Sequence, residues 1–150
     1  MRREMIREPK NPIITTADVK PSHDFLKVDG VFNCGAVKMG DEYLLLCRVA
    51  ESCAEQPEDA VCIPIYDEVL DGLKLERLAR KEIDCLYDMS DSRMIYKKNT
   101  GSTRKIKYLT SISHLRLARS RDGVNFTVEE KPLLPFSGRY ERWGMEDPRI

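Results

Sequence analysis

Val31-Phe32-Asn33-Cys34-Gly35-Ala36-Val37-Lys38-Met39-Gly40-Asp41-Glu42-Tyr43-Leu44-Leu45-Leu46-Cys47-Arg48-Val49 places two runs of strand-forming residues on either side of Gly40-Asp41-Glu42. Gly and Asp are turn residues, so the stretch reads as a β-hairpin. A strand with one wet face would alternate apolar and polar residues. Both runs are instead nearly continuous, which predicts that both faces are covered, as in stacked sheets.

Further along, Tyr108-Leu109-Thr110-Ser111-Ile112-Ser113 and His114-Leu115-Arg116-Leu117-Ala118-Arg119-Ser120 form a second β-rich unit. It breaks at Arg121-Asp122-Gly123 and resumes as Val124-Asn125-Phe126-Thr127-Val128. An Asp-Gly pair flanked by strand residues is a strong hairpin signal. Leu115 and Leu117, alternating with arginines, predict a partly solvated strand. Between the two units the sequence reads as a polar loop over residues 51–59 and a strand at Val61-Cys62-Ile63-Pro64-Ile65-Tyr66. Residues 69–83 mix Leu with Glu, Arg and Lys. Strand is preferred there, because Asp71-Gly72 would punctuate a helix badly. The basic, Gly/Ser/Thr-containing residues 97–107 read as an exposed loop.

The 150 residues are 41% apolar and 33% charged, with 25 Lys+Arg balanced by 25 Asp+Glu. That balance removes the basic excess by which nucleic-acid and anionic-membrane binders announce themselves, so neither partner is expected. Eight glycines and eight prolines are too few for a fibrous or disordered chain. No apolar run approaches the roughly 20 residues of a membrane span. The first ten residues carry three Arg, two Glu and one Lys with no apolar core behind them, so a cytoplasmic location is expected. Cys34, Cys47, Cys53, Cys62 and Cys85 have neither zinc-site spacing nor a paired count, so reduced thiols and no metal are expected.

Asp91-Ser92-Arg93-Met94-Ile95 resembles Asp147-Pro148-Arg149-Ile150, 56 residues later, and Asn33 lies 58 residues before Asp91. Such spacings are compatible with a repeated sheet of the propeller kind. Tyr140-Glu141-Arg142-Trp143-Gly144-Met145-Glu146-Asp147-Pro148-Arg149 holds an aromatic residue, carboxyl groups and a guanidinium, the inventory of a sugar site. A turn with Asp147 capping backbone groups and Trp143 filling core accounts for the same residues.

Several ordered motifs resemble glycoside hydrolase family 130, the β-mannoside phosphorylases. They are Asn11-Pro12-Ile13-Ile14-Thr15, Asp18-Val19-Lys20-Pro21-Ser22, Val31-Phe32-Asn33-Cys34-Gly35-Ala36-Val37 and Leu45-Leu46-Cys47-Arg48-Val49-Ala50-Glu51. The run from Leu109 through His114 to Gly123, and Glu146-Asp147-Pro148-Arg149, complete the set. The resemblance implies an all-β, five-bladed β-propeller of about twice this length. Residues 1–150 would then be the N-terminal part of a single propeller catalytic domain, about two blades, and inactive alone.

The same resemblance implies inverting phosphorolysis of mannobiose or short β-mannooligosaccharides, with inorganic phosphate as co-substrate and no cofactor, yielding α-mannose 1-phosphate. It implies Asp147 as the general acid, Asn33 and Arg48 as contacts to the mannosyl unit, and Arg149 as the group that orients Asp147. Phosphate arrives already anionic, so one carboxyl suffices where an inverting hydrolase needs two. A β-mannoside hydrolase and a non-catalytic carbohydrate-binding fragment are the alternatives, and homo-oligomerisation stays open. Asp91 ranks second to Asp147 because its motif lacks the proline. His114, in mid-strand, reads as a structural histidine.

Overall fold

The computed structural model describes residues 6–98, 101, 103–134 and 140–150. The strands are β1 (Leu26–Met39), β2 (Glu42–Cys53), β3 (Ala60–Asp67), β4 (Gly72–Ala79), β5 (Tyr87–Asp91), β6 (Met94–Lys97), β7 (Lys105–Leu109), β8 (Ser111–Ser120) and β9 (Thr127–Val128). The α-helix α1 (Arg80–Leu86) separates β4 from β5. The chain is all-β as expected. Its antiparallel strands form a four-stranded sheet in the order β1-β2-β8-β9, a β3-β4 pair and a β5-β6-β7 sheet. Among the described residues no helix is long and apolar enough to cross a membrane.

The hairpin at Gly40-Asp41 forms as read, with Met39 opposite Glu42 and Leu26 opposite Cys53. Of the two hairpin strands, β2 is the one covered on both faces: it lies between β1 and β8, and Val49, Ala50 and Glu51 are buried in succession. β1 is an edge strand, and most of its second half is exposed. The polar loop expected from residue 51 starts later, because β2 runs on to Cys53 and Glu51 is fully buried. β8 is solvated only in part of its second half, where Leu117 is half-buried and Arg119 exposed, since Ile112, Ser113, His114, Leu115 and Arg116 are all buried.

Partners within the chain explain those buried polar groups. Arg116 donates from Nη1 to the Glu129 and Glu130 carbonyls and from Nη2 to the Lys20 carbonyl at 3.0 Å. Glu51 accepts the Ser22 amide at 2.7 Å and the Ser22 hydroxyl, with His114 Nε2 3.3 Å from its other side. Burial pushes the Glu51 carboxyl up, but hydrogen bonds from His114 and Ser22 outweigh it and leave the group below its ordinary value. His114 is thus held inside the sheet. Together these bonds strap residues 20–22 across β2 and β8.

The β3-β4 pair turns through residues 68–71, with Asp67 opposite Gly72, so the strand reading holds from Gly72 as far as Ala79. It fails at residues 80–83, which open α1. The Leu/Glu/Arg/Lys composition favours helix once the turn glycine is left behind, and Ile83 points into a core with Val61, Ile63, Leu78 and Ile95. Ile63 and Ile95 are fully buried, each contributing about 1.5–3 kcal/mol of apolar transfer. A smaller core gathers Leu26, Cys53 and Cys62. The loop expected at 97–107 is shorter than read, because Lys105 already belongs to β7; positions 99, 100 and 102 lie outside the described residues. The β-rich unit beginning at Tyr108 is divided at Thr110, whose amide and hydroxyl bond to the carbonyls of Arg93 and Ser92.

Candidate active site

The site is assembled on the open face of β1 and β2 by the segment that follows β9. Gly144 makes this possible. It forms a parallel bridge with Ser113, and the Met145 amide donates to the Ser113 carbonyl at 2.8 Å. At φ 87°, a Cβ on residue 144 would stand 2.1 Å from the Ser113 carbonyl oxygen, so only glycine fits. Residues 148–150 then cross β1 above Gly35, where a Cβ would be 3.0 Å from the Ile150 side chain. The intervening residue, Asp147, is brought against the hairpin.

Its carboxylate meets two donors from different strands. Asn33 Nδ2 donates to Asp147 Oδ1 at 2.8 Å, and Arg48 Nη1 donates to the same oxygen at 2.9 Å. Arg48 is fixed on all sides: Nη2 donates to Glu146 Oε1 at 2.5 Å, Nε donates to the Ser113 hydroxyl at 3.1 Å, and the guanidinium lies 4.9 Å from the Phe32 ring centroid. Its side chain is 17% exposed and that of Asp147 47%, so the carboxylate sits where a ligand can reach it while its holder is anchored below. Hydrogen bonds from Asn33 and then Arg48 hold the Asp147 carboxyl below its ordinary value.

Both ends of the Asn33–Asp147 bond are backbone outliers. Asn33 (φ 51°) and Asp147 (φ 46°) adopt the left-handed conformation, which Asn and Asp tolerate better than other non-glycine residues. Strained positions of this kind persist where the surroundings over-determine them.

Of the residues singled out from sequence, Asn33, Arg48 and Asp147 therefore come together. Arg149 does not join them as expected. Its Nη1 donates to the backbone carbonyls of Asp147 and Pro148, at 3.1 and 3.0 Å, so it braces the main chain and acts on the carboxylate only through its charge, which lowers that group less than the bonds from Asn33 and Arg48 do. Asp91 lies in the tight β5–β6 turn and pairs with exposed Arg93, an environment unlike that of Asp147. Trp143 neither fills core nor stacks beside the carboxylate. At 39% exposure it lines a cavity of about 150 Å³ with Tyr66, Tyr108 and Ile112, and Asp147 is not among the lining residues. Ser113, Glu146 and Phe32 were not assigned to the site from sequence. Glu146 was the most accessible of the three, being part of the Glu146-Asp147 motif.

No family model matches the chain. It is 40% identical over 144 residues to a β-1,2-mannobiose phosphorylase of Listeria innocua serovar 6a, a match covering 96% of this chain and 39% of that protein. It is 37% identical over 75 residues to a 1,2-β-oligomannan phosphorylase of Thermoanaerobacter sp. strain X514, covering 50% of this chain and 25% of the relative. Among solved structures, the Listeria innocua β-1,2-mannobiose phosphorylase in complex with β-1,2-mannobiose superposes with a TM-score of 0.81 over 95% of this chain and 39% of the other. The chain thus spans about two fifths of the first relative's length. Over the two fifths of the relative that it spans, the chain is similar in sequence and in fold to the β-mannoside phosphorylases, the family that its motifs resemble.

Proposed function

We propose that residues 1–150 supply the proton donor and part of the mannosyl-binding wall of an inverting β-mannoside phosphorylase. They would form about two blades of a single five-bladed propeller domain. The observation that carries this reading is the convergence of Asn33, Arg48 and the segment after Gly144 on one carboxylate, in a chain 40% identical to a mannobiose phosphorylase.

Asp147 is the general acid. In the ligand-free arrangement it is ionised, held so by Asn33 and Arg48. Sugar hydroxyls offer those two donors replacement acceptors. When the mannosyl unit takes them, the influences that depress the carboxyl weaken, its affinity for a proton rises, and it becomes able to protonate the glycosidic oxygen. Phosphate attacks the anomeric carbon from the opposite face, the carbon–oxygen bond to the leaving sugar breaks, and α-mannose 1-phosphate forms. A cytoplasmic location, where a phosphorylated sugar is retained, accompanies the proposal.

Glu146 bears on the hydrolytic alternative. An inverting hydrolase separates its two carboxyls by roughly 6.5–9.5 Å, leaving room for a water beyond the sugar ring. Glu146 and Asp147 are both bound by the terminal nitrogens of one guanidinium, so Glu146 stands beside the acid, on the same side of the site. Phosphorolysis is the activity by which both relatives are named. Full-length protein incubated with β-1,2-mannobiose and phosphate is expected to release α-mannose 1-phosphate, and Asp147→Asn to lower turnover by about 10²–10⁴-fold. Free mannose as the sole product in phosphate, or turnover unchanged in the variant, would overturn the assignment.

A further inference from the structure

On the reverse side of the strands that carry Asn33 and Arg48 sit two thiols. Between the Phe32–Arg48 and Gly35–Leu46 pairs, β1 supplies Asn33 and Cys34 while β2 supplies Cys47 alone. This is a β-bulge, two residues against one. Asn33, at φ 51°, absorbs the extra residue and keeps its side chain on the face of Phe32, Arg48 and Asp147. Cys34 turns to the other face, one step from the Gly35–Leu46 pair, and Cys47, one residue from Arg48 on β2, turns to that same face.

Cys34 meets Cys47 across the bulge and not as a registered pair; neighbouring strands lie about 4.7–4.9 Å apart, and a disulfide needs Cβ atoms about 3.5–4.5 Å apart. A small approach of the two strands closes the difference. The environments of the two thiols are complementary. Cys34 is exposed and Cys47 fully buried, which is the arrangement of an accessible thiol with a protected resolving partner beside it. The neighbouring Cys47 thiol brings Cys34 down to about 7, and Cys34 in turn, with burial, pushes Cys47 up. Of the two thiols, Cys34 is therefore the one shifted toward the thiolate, the reactive form. Cys53 differs: it is buried beside Cys62, and its thiol is pushed up to about 11 by burial first and Cys62 second.

We propose that Cys34 and Cys47 form a reversible redox modification site whose oxidant is a hydroperoxide. The Cys34 thiolate attacks the terminal oxygen of the peroxide, the O–O bond breaks, and Cys34 becomes a sulfenic acid as alkoxide leaves, or hydroxide where the oxidant is hydrogen peroxide. The Cys47 sulfur then attacks the Cys34 sulfur. The S–OH bond breaks, water departs with the Cys47 proton, and a disulfide remains. Overall two thiols are oxidised and one peroxide is reduced. Cys34 adjoins Asn33, and Cys47 adjoins Arg48, so drawing the strands together shifts both donors that hold Asp147. This effect on turnover rests on the function proposed above; formation of the disulfide does not.

The test treats full-length protein with hydrogen peroxide, blocks remaining thiols with N-ethylmaleimide and maps the peptides by mass spectrometry. The expected result is a peptide joining Cys34 to Cys47, lost on adding dithiothreitol and absent from Cys34→Ser and Cys47→Ser. Phosphorolysis should fall several-fold on oxidation, recover on reduction and be indifferent to peroxide in both variants. Unmodified Cys34, a persistent Cys34 sulfenic acid trapped by dimedone, or cross-linking confined to other cysteines would overturn the site. A Cys34–Cys47 cross-link in a reduced-active enzyme whose turnover it leaves unmoved would overturn the coupling alone. A protein with no phosphorolysis even when reduced would sink the functional reading while the peptide map still decided the modification.

Discussion

Arg48 is the residue on which the site turns. Its planar fork bonds Glu146, Asp147 and Ser113 while its face lies on Phe32, and lysine could not reproduce that set of directions. Asn33 supplies the other bond to Asp147, and the two act in the same sense, both lowering its carboxyl. Removing one allows the carboxyl to rise. A general acid works only while protonated, so activity falls as pH increases through its ionisation. Asn33→Ala is therefore expected to move the basic limb of the kcat/KM profile to higher pH, measured on full-length protein over the pH range in which it stays folded. A limb that moves down, or stays fixed, would mean that Asn33 does not govern Asp147. At this scale the sequence was informative where a motif names the residue: Asn33, Arg48 and Asp147 all stand in quoted motifs. It was uninformative about direction. Nothing in Asp147-Pro148-Arg149 says that the guanidinium of Arg149 turns back to two carbonyls, or that Ser113 faces Arg48.

Between elements, the decisive contact is the approach of residues 144–145 to β8, which sets where Asp147 arrives. Gly144→Ala would put a methyl group against the Ser113 backbone and require a left-handed alanine. The segment must then lift away, taking Asp147 with it. A misplacement of about 1 Å can cost roughly 100-fold in rate, so a loss of that order in kcat/KM is expected, with a nearly unchanged far-ultraviolet circular dichroism spectrum. Wild-type kinetics would show that the bridge does not position the acid. The hairpin and the β3-β4 pair were legible because each couples a turn signal to flanking strand residues. At Asp122-Gly123 the signal marks only the turn: the strand read from Val124 begins at Thr127, because Asp122 holds the Val124 and Asn125 amides in the loop. The helix α1 was not legible: seven residues are too few to establish a 3.6-residue period. Nor was the β8 burial, because an arginine reads as a solvent-facing residue until the carbonyls that surround it are known.

For the whole molecule, the four-stranded sheet ends in β1 on one side and in the two-residue β9 on the other. If this sheet belongs to a ring of five, a crystal structure of the full-length protein is expected to show Asp147 facing a central funnel, with phosphate-binding basic residues contributed by later blades. Asp147 on the outer circumference of such a ring would contradict the functional reading. The repeat of Asp91 and Asp147 did not anticipate this architecture, since one residue closes a tight turn and the other rests on the hairpin. The β1 bulge also limits how the protein can be engineered. Because side chains alternate faces, adding or deleting a single residue of β1 between Gly40 and the bulge would change the phase of everything upstream. Asn33 would be turned to the thiol side and Cys34 toward Asp147, so the two functions carried by this hairpin would exchange places unless such edits come in even numbers.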